Sequence, residues 1–434
     1  MNKRLALLAM LASGTFLSAT ASAERDLRSF NPAMSVILDG LYYHDSVDGS
    51  GMEILDQHSS ALHSHAHEEH EHDGLGQGFN LRELELTLSG SVDSYFDAVV
   101  TAALADGEVE IEEAWFQTRS LPAGLTLKGG KFLSAIGYHN EKHVHSWDFA
   151  DQNLAYLSLF GDHGLRDTGV QLSWLAPTTT FVQVGVELLQ GSELERFGSE
   201  LDADELAEEI NQEFLIPNGD PEVDEDDLGL PLRKGPRLVT SYVRIAPDMG
   251  TRQALQFGIS AARHDSQQAF HEEGAEAFIS EGSAALYGVQ AVYKRFATGA
   301  YGKGSFNIQA EVFEIDSDQT ATYHTDPLEI GIPVSLNQRA AYASANWGFA
   351  QRWQIGVRSA AAGINGELVE HGTREDIGIS RQHSAALTWL PTEFSRLRLQ
   401  VNRNDISTED GREEFNQIML QYNLSLGAHG AHTF

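Results

Sequence analysis

The sequence predicts an all-β chain that crosses a membrane as an antiparallel barrel of about sixteen strands. Three observations carry this expectation. Hydrophobicity alternates with period two, short and long connections between the alternating segments take turns, and aromatic residues gather beside the short connections.

The first residues read as an export signal. Lys3 and Arg4 precede an apolar run from Leu5 to Leu17, and Ala21-Ser22-Ala23 gives a small-x-small cleavage site before Glu24. A membrane anchor needs about 20 apolar residues, and Ser13, Gly14 and Thr15 interrupt this run first. Residues 1–23 are therefore expected to be a signal peptide and 24–434 the barrel. No later stretch approaches the roughly 18 uncharged apolar residues of a membrane helix. Cysteine is absent, which excludes a disulfide framework and thiolate metal sites. The 63 Asp and Glu outnumber 29 Lys and Arg, for a formal net charge of -34. That balance repels nucleic acid and raises the local cation concentration, although solvation of long loops accounts for part of it.

Candidate strands cover 32–44, 80–91, 94–104, 108–119, 124–133, 168–176, 180–190, 236–246, 252–264, 284–295, 304–316, 339–348, 352–362, 381–390, 394–404 and 415–427. Leu84, Leu86 and Leu88 alternate with polar neighbours. So do Val182, Val184, Val186 and Leu188, and Leu397, Leu399 and Val401. Each such segment has one apolar and one polar face. Short turns are expected near 92–93, 121–124, 176–179, 247–251, 349–352 and 391–393. Long loops are expected at 45–79, 134–167, 191–235, 265–283, 317–337 and 363–379. Asp106-Gly107 is a tight turn where this rhythm calls for a long loop. A soluble sandwich has no reason to keep its long loops on alternate connections, whereas an outer-membrane barrel does. Trp174, Phe181, Trp347, Phe349, Trp353, Trp389 and Phe394 all sit beside short turns, as an interfacial aromatic girdle would.

Gly130-Lys131-Phe132, followed by Gly164-Leu165-Arg166-Asp167-Thr168-Gly169-Val170-Gln171-Leu172, resembles the core pattern of the phosphate-selective porin superfamily. The closing run from Leu420 to His432, ending in Phe434, is similar to a group of zinc-regulated outer-membrane proteins of Gram-negative bacteria, often labelled TonB-dependent receptors. This resemblance implies a sixteen-stranded porin, commonly a homotrimer, whose third external loop, here about 134–167, folds inward to narrow the pore. It also implies that Phe434 is the signal read by the barrel-assembly machinery. A TonB-dependent transporter needs about 22 strands around a plug, and this chain has neither the length nor a plug segment. Phosphate-selective members carry basic pores. Here the expected lumen faces carry Glu83, Glu85, Glu110, Glu112, Glu187 and Glu311, offset by Arg358, Arg396 and Arg398.

Two groups of residues point to metal cations. His58, His63, His65, His67, His70 and His72, interleaved with Glu68, Glu69, Glu71 and Asp73, form a tract in the first external loop. Neutral imidazoles with carboxylates suit zinc, and the irregular spacing fits weak, exchanging capture at a pore mouth. The alternative is a polar loop of biased composition. His139, His143, His145 and His163, with Asp148 and Asp151, lie in the expected constriction loop, where binding must both admit and release an ion. Here the alternative is that they bond to the barrel wall. The expected function is passive diffusion of small solutes across outer-membrane lipid, favouring divalent cations such as zinc, with weakly bound Zn2+ and no required cofactor. A general or oligosaccharide-type porin, a surface metal-binding barrel and a barrel enzyme are the competing readings. No G-x-S-x-G nucleophile motif supports the enzyme.

Overall fold

The computed structural model describes residues 32–47, 49–58, 75–105, 108–191, 194, 196–198, 201–218, 221–230, 235–273, 276–370, 372–408 and 411–427. Its strands are β1 (Ala33–Asp45), β2 (Gly78–Ser91), β3 (Phe96–Ala105), β4 (Glu108–Thr118), β5 (Leu125–Leu133), β6 (Arg166–Leu175), β7 (Phe181–Leu189), β8 (Leu238–Ala246), β9 (Gln253–Glu273), β10 (Glu276–Arg295), β11 (Phe306–His324), β12 (Pro333–Ala350), β13 (Trp353–Glu370), β14 (Thr373–Asp376), β15 (Ser380–Thr392), β16 (Ser395–Thr408) and β17 (Gly411–Gly427). Consecutive strands pair antiparallel, and β1 pairs with both β2 and β17, which closes the sheet. β14 pairs only with the outer end of β13, and β13 also pairs with β15, so sixteen strands make the wall. Closure pairs each of the sixteen wall strands on both sides, the condition for crossing hydrocarbon with strands.

Burial is inverted relative to a soluble β protein. On β16, Leu397, Leu399 and Val401 are exposed while Arg398, Gln400 and Asn402 are buried. The same reversal holds for Val170 and Leu172 against Gln171 and Ser173, and for Ile355 and Val357 against Arg358. Apolar side chains point out to lipid and polar ones point into the lumen. The seven expected girdle aromatics are all 38–54% exposed and sit beside the short turns.

The strands on one side run longer than expected. β9 to β13 hold 18 to 21 residues each. Residues 265–283 are therefore the outer parts of β9 and β10, joined at 274–275, rather than a loop. Of 317–337 only 325–332 is a connection, and 363–379 continues β13 and adds β14. On β11 the cause is visible. Ile308 and Val312 face out while Gln309 and Glu311 are buried, but farther up Phe313 and Ile315 are buried and Asp316 and Asp318 face out. Alternation continues with reversed polarity where the strand leaves lipid for water.

The outer half of the lumen is therefore an apolar core. The longer α-helices of the folded interior and its cap are α1 (Gly51–His58), α2 (Leu154–Phe160) and α3 (Ala203–Ile210). Every residue of α2 is buried, its start capped by Asn153 accepting from the Tyr156 amide. Leu154, Leu159 and Phe160 pack with Phe313, Ile315 and Leu336 of the wall, and Leu55 of α1 joins them. Outside, Leu206 and Ile210 of α3 pack with Phe214 on Phe270 and Ile279 of the extended hairpin β9–β10.

Candidate functional site in the barrel lumen

Residues 134–165 fold into the lumen, with β6 starting at Arg166, and three carboxylates, two of them buried, pin them there. Glu187 on β7 accepts from the Ala135 amide at 2.9 Å and from the Ser134 hydroxyl. Glu311 on β11 accepts from the Tyr138 amide at 2.7 Å, the His139 amide at 3.0 Å, and the Tyr156 and Tyr342 hydroxyls at 3.1 and 2.6 Å. Asp151, in the loop itself, pairs with Arg358 of β13 at 2.6 Å and accepts from Gln400 and Asn402 of β16 at 2.5 and 2.8 Å. Arginines from the same side bind loop carbonyls: Arg396 that of His145, and Arg398 that of Trp147 at 3.0 Å. Gly137 is required where the loop passes Glu311. Its φ is +68°, and a Cβ there would lie 2.2 Å from the Tyr156 hydroxyl. Glu187, Glu311, Arg358, Arg396 and Arg398 thus face inward and hold the loop.

Between this loop and the β2–β4 wall lies a group of carboxylates and imidazoles. β2 supplies Glu83 and Glu85, β4 supplies Glu112 and Glu113, and the loop supplies His143 and His145. His145 Nδ1 is 2.7 Å from Glu85 Oε2, and His143 Nδ1 is 3.7 Å from the same oxygen. His143 also lies 3.2 Å from Glu112 through Nδ1 and 2.9 Å from Glu113 through Nε2. The two imidazoles stack at 5.8 Å with an interplanar angle of 11°. In the metal-free arrangement, burial disfavours the charged form of His143, but hydrogen bonds to Glu112 and Glu113 outweigh it and hold the pKa well above the ordinary value.

A β-bulge builds this group. Thr101 of β3 pairs with Glu113 and the next residue, Ala102, pairs with Ile111, which leaves Glu112 as the extra residue. Adjacent residues normally point to opposite faces, but the bulge turns both Glu112 and Glu113 to the lumen. β2 has a second bulge, where Asp39 pairs with Glu83 and Gly40 with Leu81. The extra residue, Arg82, faces inward and pairs with Asp39. Sequence reasoning missed Glu113 and Arg82. The available signal was a break in strict alternation, Glu112-Glu113 in one strand and Arg82-Glu83 in the other.

The other expected constriction residues separate. His139 is buried, bonded to Gln152 at 2.8 Å and packed among Trp147, Tyr156 and Tyr342. Burial, with help from Lys142 and Arg358, pushes its pKa well below the ordinary value, so it serves as a neutral packing element of the loop. Asp148 accepts from Asn307 at 3.4 Å, and His163 is exposed. Glu110 faces Arg166 and lies 3.9 Å from Lys131. His58 ends α1, while His63, His65, His67, His70, His72, Glu68, Glu69, Glu71 and Asp73 lie outside the described residues. So do the signal segment and Phe434.

No protein-family model matches the chain. An uncharacterized protein of Aquifex aeolicus (strain VF5) is 32% identical to it over 412 residues, 94% of this chain and 81% of that protein. Among solved structures, the outer membrane channel DcaP of Acinetobacter baumannii matches with a TM-score of 0.51 at 11% identity, over 91% of this chain and 96% of that one. OmpT, an outer membrane protein of Vibrio cholerae folded in vitro, matches with a TM-score of 0.50 at 8% identity, over 91% and 97% of the two chains. At these identities the likeness is one of fold, and the fold is that of outer-membrane barrels.

Proposed function

The chain belongs to the same family as the uncharacterized Aquifex aeolicus protein and has an outer-membrane barrel fold, and from these premises we propose that it is a porin-type channel favouring divalent metal cations, zinc among them. The observation that carries this reading is the meeting of His143 and His145 with Glu83, Glu85 and Glu112 where the loop crosses the lumen. Carboxylates attract any cation, whereas imidazole adds a preference for zinc, copper and nickel over calcium and magnesium. The acidic chain and the His-rich tract at 58–73 serve the same end by concentrating cations outside.

A second reading, a general or oligosaccharide-type porin, draws on the amide-rich wall of Gln309, Gln382, Gln400, Asn402, Gln417 and Gln421. Of these, Gln309, Gln382, Gln400 and Asn402 bond to the inserted loop, and Gln417 and Gln421 to neighbouring wall side chains, so the first reading is preferred.

Reversal potentials across planar bilayers in zinc, calcium and potassium chloride gradients test the two. A channel selective for cations, with zinc preferred over calcium, is the expected result. An anion-selective channel, or one indifferent to the cation, removes the metal reading. Absence of current removes both readings and leaves a surface metal-binding barrel or a barrel enzyme. Zinc uptake at limiting metal, measured with and without residues 59–73, reports the contribution of the tract.

A further inference from the structure

We propose that Glu85 bridges two adjacent divalent-cation sites in the lumen, one completed by Glu83 and His145 and the other by Glu112 and His143. The inference deepens the metal-channel reading and rests on it for its role in transport. Within each of these two triads, one ligand atom per residue lies within 4.8 Å of the others. Glu85 is common to both. Its Oε1 accepts from the Thr87 hydroxyl at 2.8 Å, and its Oε2 faces both imidazoles.

Three further features point to bound cations rather than to a self-satisfied network. Glu83 is buried to 7% exposure, and no hydrogen bond or ion pair reaches its carboxylate among the described residues. Such a group is stable as the neutral acid, when paired, or when it coordinates a metal, and a cation shared with Glu85 and His145 would hold it ionised. Glu85 Oε2 is also buried, 2.7 Å from His145 Nδ1 and 3.7 Å from His143 Nδ1, so one oxygen faces a ring nitrogen of each triad. Lastly, Glu113 sits 2.9 Å from His143 Nε2, on the far side of the ring from Glu112 and Glu85. A carboxylate there accepts a hydrogen bond from Nε2–H and so leaves the Nδ1 lone pair toward the site, the arrangement that orients metal-ligating histidines. Glu113 is thus a positioning residue and the bulge at Glu112 is what makes room for it.

Two sites sharing one carboxylate suit conduction. A single site that captures zinc from dilute solution releases it slowly, whereas a second ion in the neighbouring site weakens the hold on the first by repulsion.

The test is metal stoichiometry on the purified full-length barrel in detergent, read by zinc competition with a chromogenic chelator and by cobalt absorption. The wild-type number includes any ions on the His-rich tract, so differences between variants decide. E85Q is expected to lose two equivalents, and H143N and H145N one each. E113Q is expected to keep both equivalents with weakened affinity at the site of His143. Equal stoichiometry in E85Q and wild type overturns the proposal, as does loss of both equivalents in a single histidine variant. Should E85Q fail to assemble, the histidine pair decides: their double variant must lose two. Bilayer recordings separate this inference from the transport reading. A zinc-preferring channel whose stoichiometry is unchanged in E85Q keeps the channel and sinks the bridge. Two lost equivalents in a barrel without zinc preference keep the sites and sink the transport role.

Discussion

The Glu311 carboxylate accepts from two loop amides and two tyrosine hydroxyls, and all four donors are buried. Glu311→Ala leaves them without an acceptor, at a cost of about 3 kcal/mol or more. The inserted loop is expected to loosen, seen as faster proteolysis within 134–167 and noisier single-channel currents, with the barrel still folded. Unchanged proteolysis would mean that Glu187 and Asp151 hold the loop unaided. His139 gives the loop a pH dependence whose sign is fixed. Burial lowers its pKa in the seated loop, whereas a released loop restores a value near 6.5. The His139 contribution is therefore complete above that ordinary value and is lost as pH falls below it, whereas His143, whose pKa is raised in the seated loop, contributes most below that value and less as pH rises. Trp147 fluorescence and loop proteolysis followed from pH 7.5 to 5 are expected to show loosening on acidification, less in His139→Gln. Residue types in the loop were legible in the sequence, but their division of labour was not. His139 and His143 look alike along the chain, and only their neighbours make one a packing element and set the other among carboxylates.

Strand polarity was legible wherever one face met lipid. Leu397, Leu399 and Val401 advertise β16 because lipid demands an apolar row. Above the lipid that demand ends, and β11 shows the consequence. Phe313 and Ile315 turn inward to meet α2 while Glu314 pairs outward with Arg339 at 3.1 Å. A reading keyed to outward apolar residues stops there, which is why 317–337 looked like a loop. The bulge at Glu112 makes a sharper prediction. Deleting Glu112 restores regular alternation, keeping Glu110 and Glu113 inward and Ile111 outward, so the variant is expected to assemble with the heat-modifiable gel mobility of the parent. Deleting Val357, in a regular part of β13, moves the strand on one side of it onto the opposite face and is expected to abolish assembly. If both deletions behave alike, the bulge is not the device that faces two adjacent glutamates inward.

For the whole molecule, the wall sorts substitutions by depth and by side. Leu399→Arg, facing lipid, is expected to cost about 2–4 kcal/mol when folding into bilayers is measured against urea. Arg403→Ala, farther up the same face and 69% exposed beside Glu414, is expected to change little. Equal effects would place the lipid boundary elsewhere. By itself the sequence determined the sixteen-stranded wall, its two faces, its short turns and the aromatic girdle, because the direction of a side chain on a strand follows from period two and needs no distant partner. Only the tertiary structure decided how deeply 134–167 enters the lumen and which residues it meets. His143 reaches Glu85 and Glu112 through closure of the sheet and the extra residue in β4, and such a meeting between separate segments leaves no local pattern along the chain.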